Sequence, residues 1–192
     1  MKDDPEAREL AEQQHVQRFE ELALPHLDAA YNLARWLTRN DHDAHDVVQE
    51  AYLRAFRFFD GFHGDNARSW LLAIVRNTCY TWLQQNRGFH VNVSLDELLD
   101  SGDADVVLAA VEPSEEGPEK LMLRADDKAM LNRALERLPE EFREVIVLKE
   151  LEDLSYREIA AITGVPLGTV MSRLSRARKF LYKHLQTSVQ ES

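Results

Sequence analysis

Arg173, Arg176, Arg178 and Lys179 stand close together in a stretch, Ile159 to Gln190, that contains no Asp or Glu. Cations without competing carboxylates suit nucleic acid, where Lys and Arg neutralise phosphates and a guanidinium can bind a guanine edge with two hydrogen bonds. A second acid-free stretch runs from Asn66 to Leu95 and carries Arg68, Arg76 and Arg87. The acid lies elsewhere: nine carboxylates and one lysine fall between Val91 and Lys120. A net charge of −11 therefore does not argue against a nucleic-acid partner, because two basic surfaces are separated by an acidic strap.

The elements around the first cluster have start and stop signals. Ser155 and Glu158 form a capping box, in which each side chain satisfies the other residue's backbone N–H. Ile159, Ala160 and Ile162 give a short helix, Gly164 can close it in the left-handed conformation, and Pro166 prevents its continuation. A second helix restarts at Leu167 with Val170, Leu174, Ala177 and Leu181 on its inner face. Two helices joined by a short Gly-containing turn match the helix-turn-helix, whose second helix enters the major groove. Ser172, Arg173 and Arg176 fall on its early outward turns, where bases are read. Thr169, Arg178 and Lys179 are better placed for phosphates. The competing reading is a cationic helical hairpin with no DNA role; the cap, the turn and the acid-free helix together favour DNA.

The remaining chain predicts an all-α fold. Of its 192 residues, 44% are apolar and 30% charged, with seven Gly, six Pro and no useful alternating runs. Helices are expected over Phe19–Thr38 (one or two), from Asp41 to about Phe59 with Asp41 and Asp43 capping, and from Arg68 to about Gln85. Residues 1–17 are polar and read as loosely helical at most. Further helices are expected over Leu121–Leu138, Glu140–Leu148, Ser155–Thr163 and Leu167–Leu185. Periodicity fails over Asn86–Pro118. The organisation is therefore a polar extension at 1–17, a helical domain at 18–90, a flexible acidic linker at 91–118 and a second helical domain at 119–192.

Leu138–Leu181 strongly resembles region 4 of the extracytoplasmic-function (ECF) sigma factors, two-domain subunits of bacterial RNA polymerase. His42–Asp65 and Trp70–Leu83 look like region 2 of the same family. The resemblance implies a −35 reader at Thr169, Ser172, Arg173, Arg176 and Lys179. It implies a −10 strand grip at Arg68, Arg76, Asn77 and Tyr80, reached through the Phe62–Arg68 loop. Arg68, Arg76 and Arg87 interleave with Trp70, Tyr80, Trp82 and Phe89, as stacking plus phosphate attraction requires, and Asn77 could read an extruded base. Trp70 and Trp82 are nevertheless better explained as packed rings. Asp46, Gln49, Glu50, Leu53 and Arg54 match a docking surface for the polymerase clamp, although such residues alone describe any solvated helix face. The implied partners are RNA polymerase core (clamp and flap), promoter DNA and an anti-sigma factor. The acidic strap matches the inter-domain linker, and a solvated tether explains its composition equally well. A denser basic run often follows the −10 helix in the family; here it reads Gln84–Gln85–Asn86–Arg87.

Other chemistries find little support. Cys79 is a single cysteine, which precludes an intrachain disulfide or a Cys-based zinc site and is expected to be a small buried residue. His42 and His45 among Asp41, Asp43 and Asp46 suggest an exposed acidic helix start more than a metal centre. No nucleophile elbow, phosphate loop or catalytic carboxylate pair is present, so neither an enzyme nor a cofactor is expected. No signal peptide and no stretch of ~20 apolar residues stands in the sequence, and a cytoplasmic location without membrane insertion is expected. Two alternatives remain: a stand-alone helix-turn-helix repressor or activator, and a helical adaptor binding only protein. A repressor usually dimerises on palindromic half-sites, and no dimerisation helix is evident.

Overall fold

The computed structural model describes residues 5–86 and 129–190, with side chains described through residue 185 of the last helix. All the regular structure among the described residues is helical. The linker expected over 91–118, with Arg87 and Phe89, lies outside them.

The first half contains α1 (Pro5–Ala23), α2 (Leu27–Thr38), α3 (Asp41–Phe58) and α4 (Ala67–Asn86), with 3-10 turns at Leu24–His26 and Phe59–Gly61. The polar N-terminal residues from Pro5 onward join Phe19 in one continuous helix, more ordered than the sequence suggested. The burial of Phe19 explains this: its ring meets those of Tyr52, Phe56 and Phe59 edge-on, with centroids 5.2–6.4 Å apart. One turn earlier His15 pairs with Asp60 at 2.9 Å and sets its ring against Phe56 and Phe59. Leu33, Leu37, Val47, Ala51, Leu72, Val75 and Cys79 form the core between α2, α3 and α4. Cys79 is fully buried, as expected, and burial pushes its thiol up to about 12.

One detail at α3 corrects the sequence reading. The cap is Asn40, whose side chain accepts from the His42 and Asp43 N–H groups at 2.8 and 3.2 Å. An N-cap needs non-helical backbone, and Asn40 is extended at φ −147° and ψ 131°. Asp41 and Asp43 lie inside the first turn, where their charge complements the helix dipole.

The second half contains α5 (129–137), α6 (Glu140–Ile146), α7 (Tyr156–Thr163) and α8 (Leu167–Gln190). α6 runs into a π-helical turn, Val147–Leu151, where the Glu152 N–H reaches back to the Val147 carbonyl at 3.2 Å. Asp153 then takes a positive φ of 48°. The wide turn and this reversal fix the direction of Glu152.

The helix-turn-helix is built as the sequence predicts. Ser155 and Glu158 form the reciprocal box, the Ser155 N–H donating to Glu158 at 2.8 Å and the Glu158 N–H to Ser155 at 3.3 Å. Gly164 is left-handed at φ 70° and its N–H closes α7 onto Ala160 at 2.9 Å. Ser155→Ala is therefore expected to lower unfolding stability by about 1 kcal/mol in chemical denaturation. The Ser155 and Asn66 hydrogen bonds hold the Glu158 carboxyl below its usual range. A lowered carboxylate stabilises the fold above its unfolded pKa and loses that contribution as pH falls through the folded value. The penalty of Glu158→Gln should accordingly be full at neutral pH and disappear in acid; a pH-independent penalty would show that charge plays no part.

The two halves pack together. Their buried residues form one continuous cluster running from Leu33 and Leu72 to Leu138, Ile159 and Phe180, with α7 lying against α4 and α6 against α2. Arg143, wholly buried, ties the joint. Its guanidinium donates to the Leu135, Leu138 and Trp36 carbonyls at 3.0, 2.5 and 2.7 Å, the last across the boundary between the halves.

Candidate nucleic-acid and polymerase interfaces

α8 follows the Gly164–Val165–Pro166 turn and presents one face to α6 and one to solvent. Val170, Leu174, Ala177 and Phe180 are buried on the inner face. Met171, Ser172, Ser175, Arg176 and Lys179 are exposed on the outer face. This places Ser172, Arg176 and Lys179 where a groove-reading surface needs them. Met171 and Ser175 were not singled out in the sequence, although they precede Ser175 and Lys179 by the four residues that align side chains on a helix face. Thr169 is half-exposed, and its carbonyl accepts the Ser172 hydroxyl at 3.0 Å.

Arg173 sits differently from its neighbours. It is turned back toward α6, where it pairs with Glu141 and lies 3.6 Å from Glu144. Arg178 is likewise held by Glu150, at 2.6 and 3.1 Å.

Of the residues expected to grip the −10 strand, Arg68, Arg76 and Tyr80 face the second half. Arg68 donates to Glu152 at 2.6 Å, and Asn32 holds the other oxygen of that carboxylate at 3.1 Å. Arg76 makes a two-pronged contact with Glu144 at 2.9 and 3.3 Å. The same guanidinium lies over the Tyr80 ring, 4.3 Å from its centroid, and donates to Asn77 at 3.3 Å. Asn77 itself is exposed. The Tyr80 hydroxyl is buried beside Glu144 without forming a hydrogen bond of normal geometry. Burial pushes the Glu144 carboxyl above its usual range, and Arg76 and Arg173 draw back only part of that shift. Trp70 packs on Phe62 at 4.6 Å and Trp82 against the main core, so both rings are structural, as expected.

On α3, Asp46, Gln49, Glu50 and Leu53 form an exposed stripe, and Arg54 beside them donates to Glu50 at 2.7 Å. Leu53 is 51% exposed and Phe58, five residues further on, 66%. Phe58 escaped sequence reading because Phe56 and Phe59 satisfy the helical pattern without it. His42, at the start of this helix, lies 3.8 Å from Asp46, and His45 rests on the Tyr31 ring at 4.6 Å.

Comparisons with known proteins align with this division. Residues 22–89 match Sigma-70 region 2, and residues 128–181 match Sigma-70, region 4. These are the two halves, in order, of a sigma-type transcription protein. The chain is 40% identical over 153 residues to the ECF RNA polymerase sigma-E factor of Escherichia coli K12, covering 75% of this chain and 74% of that one. It is 35% identical over 178 residues to the ECF RNA polymerase sigma factor SigE of Mycolicibacterium smegmatis, covering 91% of this chain and 65% of that one. The chain belongs to the ECF sigma factor family. Among solved structures it resembles the sigma factor RpoE in complex with the anti-sigma factor NepR from Bartonella quintana. That match has a TM-score of 0.63 and 30% identity, covering 88% of this chain and 98% of that one. It also resembles CnrH in complex with the cytosolic domain of CnrY, with a TM-score of 0.60 and 26% identity over 94% and 97% of the two chains.

Proposed function

We propose that this chain is a sigma subunit that directs RNA polymerase core to promoters and assists their melting, and that it works in the cytoplasm without catalysis of its own. The carrying observation is the order of the two sigma regions along the chain, with an outward-facing recognition helix in the second. No helix among the described residues is long and apolar enough to cross a membrane.

In this reading the unit at 18–90 docks on the polymerase clamp through Asp46, Gln49, Glu50, Leu53 and Arg54. Arg68, Arg76, Asn77 and Tyr80 hold the −10 strand. The unit at 119–192, joined through the 91–118 linker, contacts the flap and reads the −35 element through Thr169, Ser172, Arg173, Arg176 and Lys179. An anti-sigma factor is the proposed regulator, since the RpoE structure that the chain resembles is a complex with the anti-sigma factor NepR. The comparisons lend no support to a stand-alone repressor.

Run-off transcription with purified chain and sigma-free core on genomic promoter fragments tests the proposal. Discrete start sites that depend on the chain are expected; transcription indifferent to its addition would count against it. Leu53→Asp puts a charge into the apolar centre of the docking stripe and should weaken core binding by about 2 kcal/mol, roughly thirtyfold. Co-purification with core measured by titration checks this, and an unchanged affinity would move the docking surface elsewhere.

A further inference from the structure

We propose that Met171 is a further specificity-determining residue of α8, reading the C5-methyl of a thymine in the −35 duplex through its thioether. The inference rests on the reading of α8 as the −35 helix and adds to it a base contact made without a hydrogen bond. Met171 is 51% exposed on the outer face, next to Ser172 and one turn before Ser175. Leu167, one turn earlier at the first position of α8, is 42% exposed. Leu167, Met171 and Ser175 follow one another at four-residue intervals and form a row along the helix surface, parallel to the row that carries Ser172 and Arg176. The outer face thus has an apolar edge beside its polar one.

A thioether has no charge to neutralise a phosphate and no proton to donate to a base. What it gains from duplex DNA is burial of apolar surface. In the major groove the thymine C5-methyl is the apolar group that tells one base edge from another. The unbranched, polarisable Met chain adapts to such a group more readily than a branched one. Single exposed apolar residues are ordinary on protein surfaces; the charge around this one decides its partner. The stretch from Ile159 to Gln190 holds no Asp or Glu. Arg173 and Arg178 are drawn aside onto Glu141 and Glu150, while Ser172, Ser175, Arg176 and Lys179 are exposed together with Met171. That setting suits a polyanion, whose phosphates attract the cations while the side chains between them meet base edges. An apolar protein surface would have to bury Arg176 and Lys179 along with the methionine, at a cost in desolvation.

The test uses holoenzyme assembled from the full chain and sigma-free core, with active promoters selected from a library randomised across the −35 window. Wild-type holoenzyme is expected to enrich a thymine–adenine pair at one position of the window. Met171→Ala should lose that enrichment and keep the base preferences that Arg176 confers elsewhere. Deoxyuridine in place of the enriched thymine removes the methyl and leaves every hydrogen-bonding atom, so it isolates the contact. With limiting wild-type holoenzyme, initiation from the deoxyuridine template should fall about fourfold, the transfer free energy of one methyl-sized group. With Met171→Ala the two templates should initiate equally. Met171→Leu, apolar and close in volume, should keep the difference between templates, whereas Met171→Gln, similar in length but polar, should abolish it. Helical circular dichroism of each variant separates loss of the contact from loss of the fold. A window without thymine enrichment, a thymine that deoxyuridine replaces without loss, or a methyl effect that persists in Met171→Ala overturns the proposal and leaves the −35 reading standing. A window in which no base is enriched overturns that reading as well.

Discussion

Arg176→Ala is expected to lower initiation from promoters with the preferred −35 sequence by roughly 5- to 150-fold, the loss of a bidentate base contact at about 1–3 kcal/mol. Arg176 is exposed on the outer face of α8, one turn beyond Ser172 and one before Lys179. Arg176→Lys retains the charge but not the planar fork, so it should relax promoter choice while keeping the salt dependence of binding. Arg173→Ala should add to the promoter defect, with a further signature. Because Arg173 pairs with Glu141 and approaches Glu144, its removal should also lower unfolding stability. Transcription from a library of randomised −35 elements gives both readings. Unaltered promoter choice in the Arg173→Ala, Arg176→Ala double variant would remove α8 as the reader.

Arg143→Met is the second large effect. The substitution keeps much of the side-chain volume but removes the guanidinium donors from the Leu135, Leu138 and Trp36 carbonyls. A hydrogen bond from a charged donor contributes about 1.5–3 kcal/mol, so losing the three is expected to cost about 3 kcal/mol or more. Against a typical domain stability of about 5–15 kcal/mol this is a substantial fraction. Since the Trp36 carbonyl belongs to the first half, the variant should also loosen the joint between halves. Denaturant unfolding checks the size, and a loss below about 1 kcal/mol would mean that water replaces the guanidinium.

Sequence legibility followed the range of the interactions. The Ser155–Glu158 box, the Gly164 turn and the inner face of α8 depend on residues a few positions apart, and all formed as the spacing required. Residue types exposed by default also read well: Asp46, Gln49 and Glu50 lie on the outer face of α3. The failures were those of long-range contact. In Leu138–Pro139–Glu140–Glu141–Phe142–Arg143–Glu144 the charges look like any solvated helix start, yet Arg143 and Glu144 are wholly buried. Nothing local distinguishes Glu144 from Glu141. Its burial comes from Arg76, 68 positions earlier in the chain. Glu152 owes its aim to a π-helical turn with no propensity signal, and its partner Arg68 lies 84 positions away. Asn40 was missed as the cap because Asp41 and Asp43 offered equally good chemistry one and three residues later.

The two-grip reading makes its sharpest demand on promoter opening. Permanganate oxidises unstacked thymines, so it reports melting around −10 directly when chain, sigma-free core and a promoter fragment are combined. The expected result is reactive thymines near −10 only when the chain is present, greatly reduced by Arg76→Ala, together with protection of the −35 duplex that Arg176→Ala removes. Thymine reactivity that is the same with and without the chain would contradict the assignment of a sigma subunit.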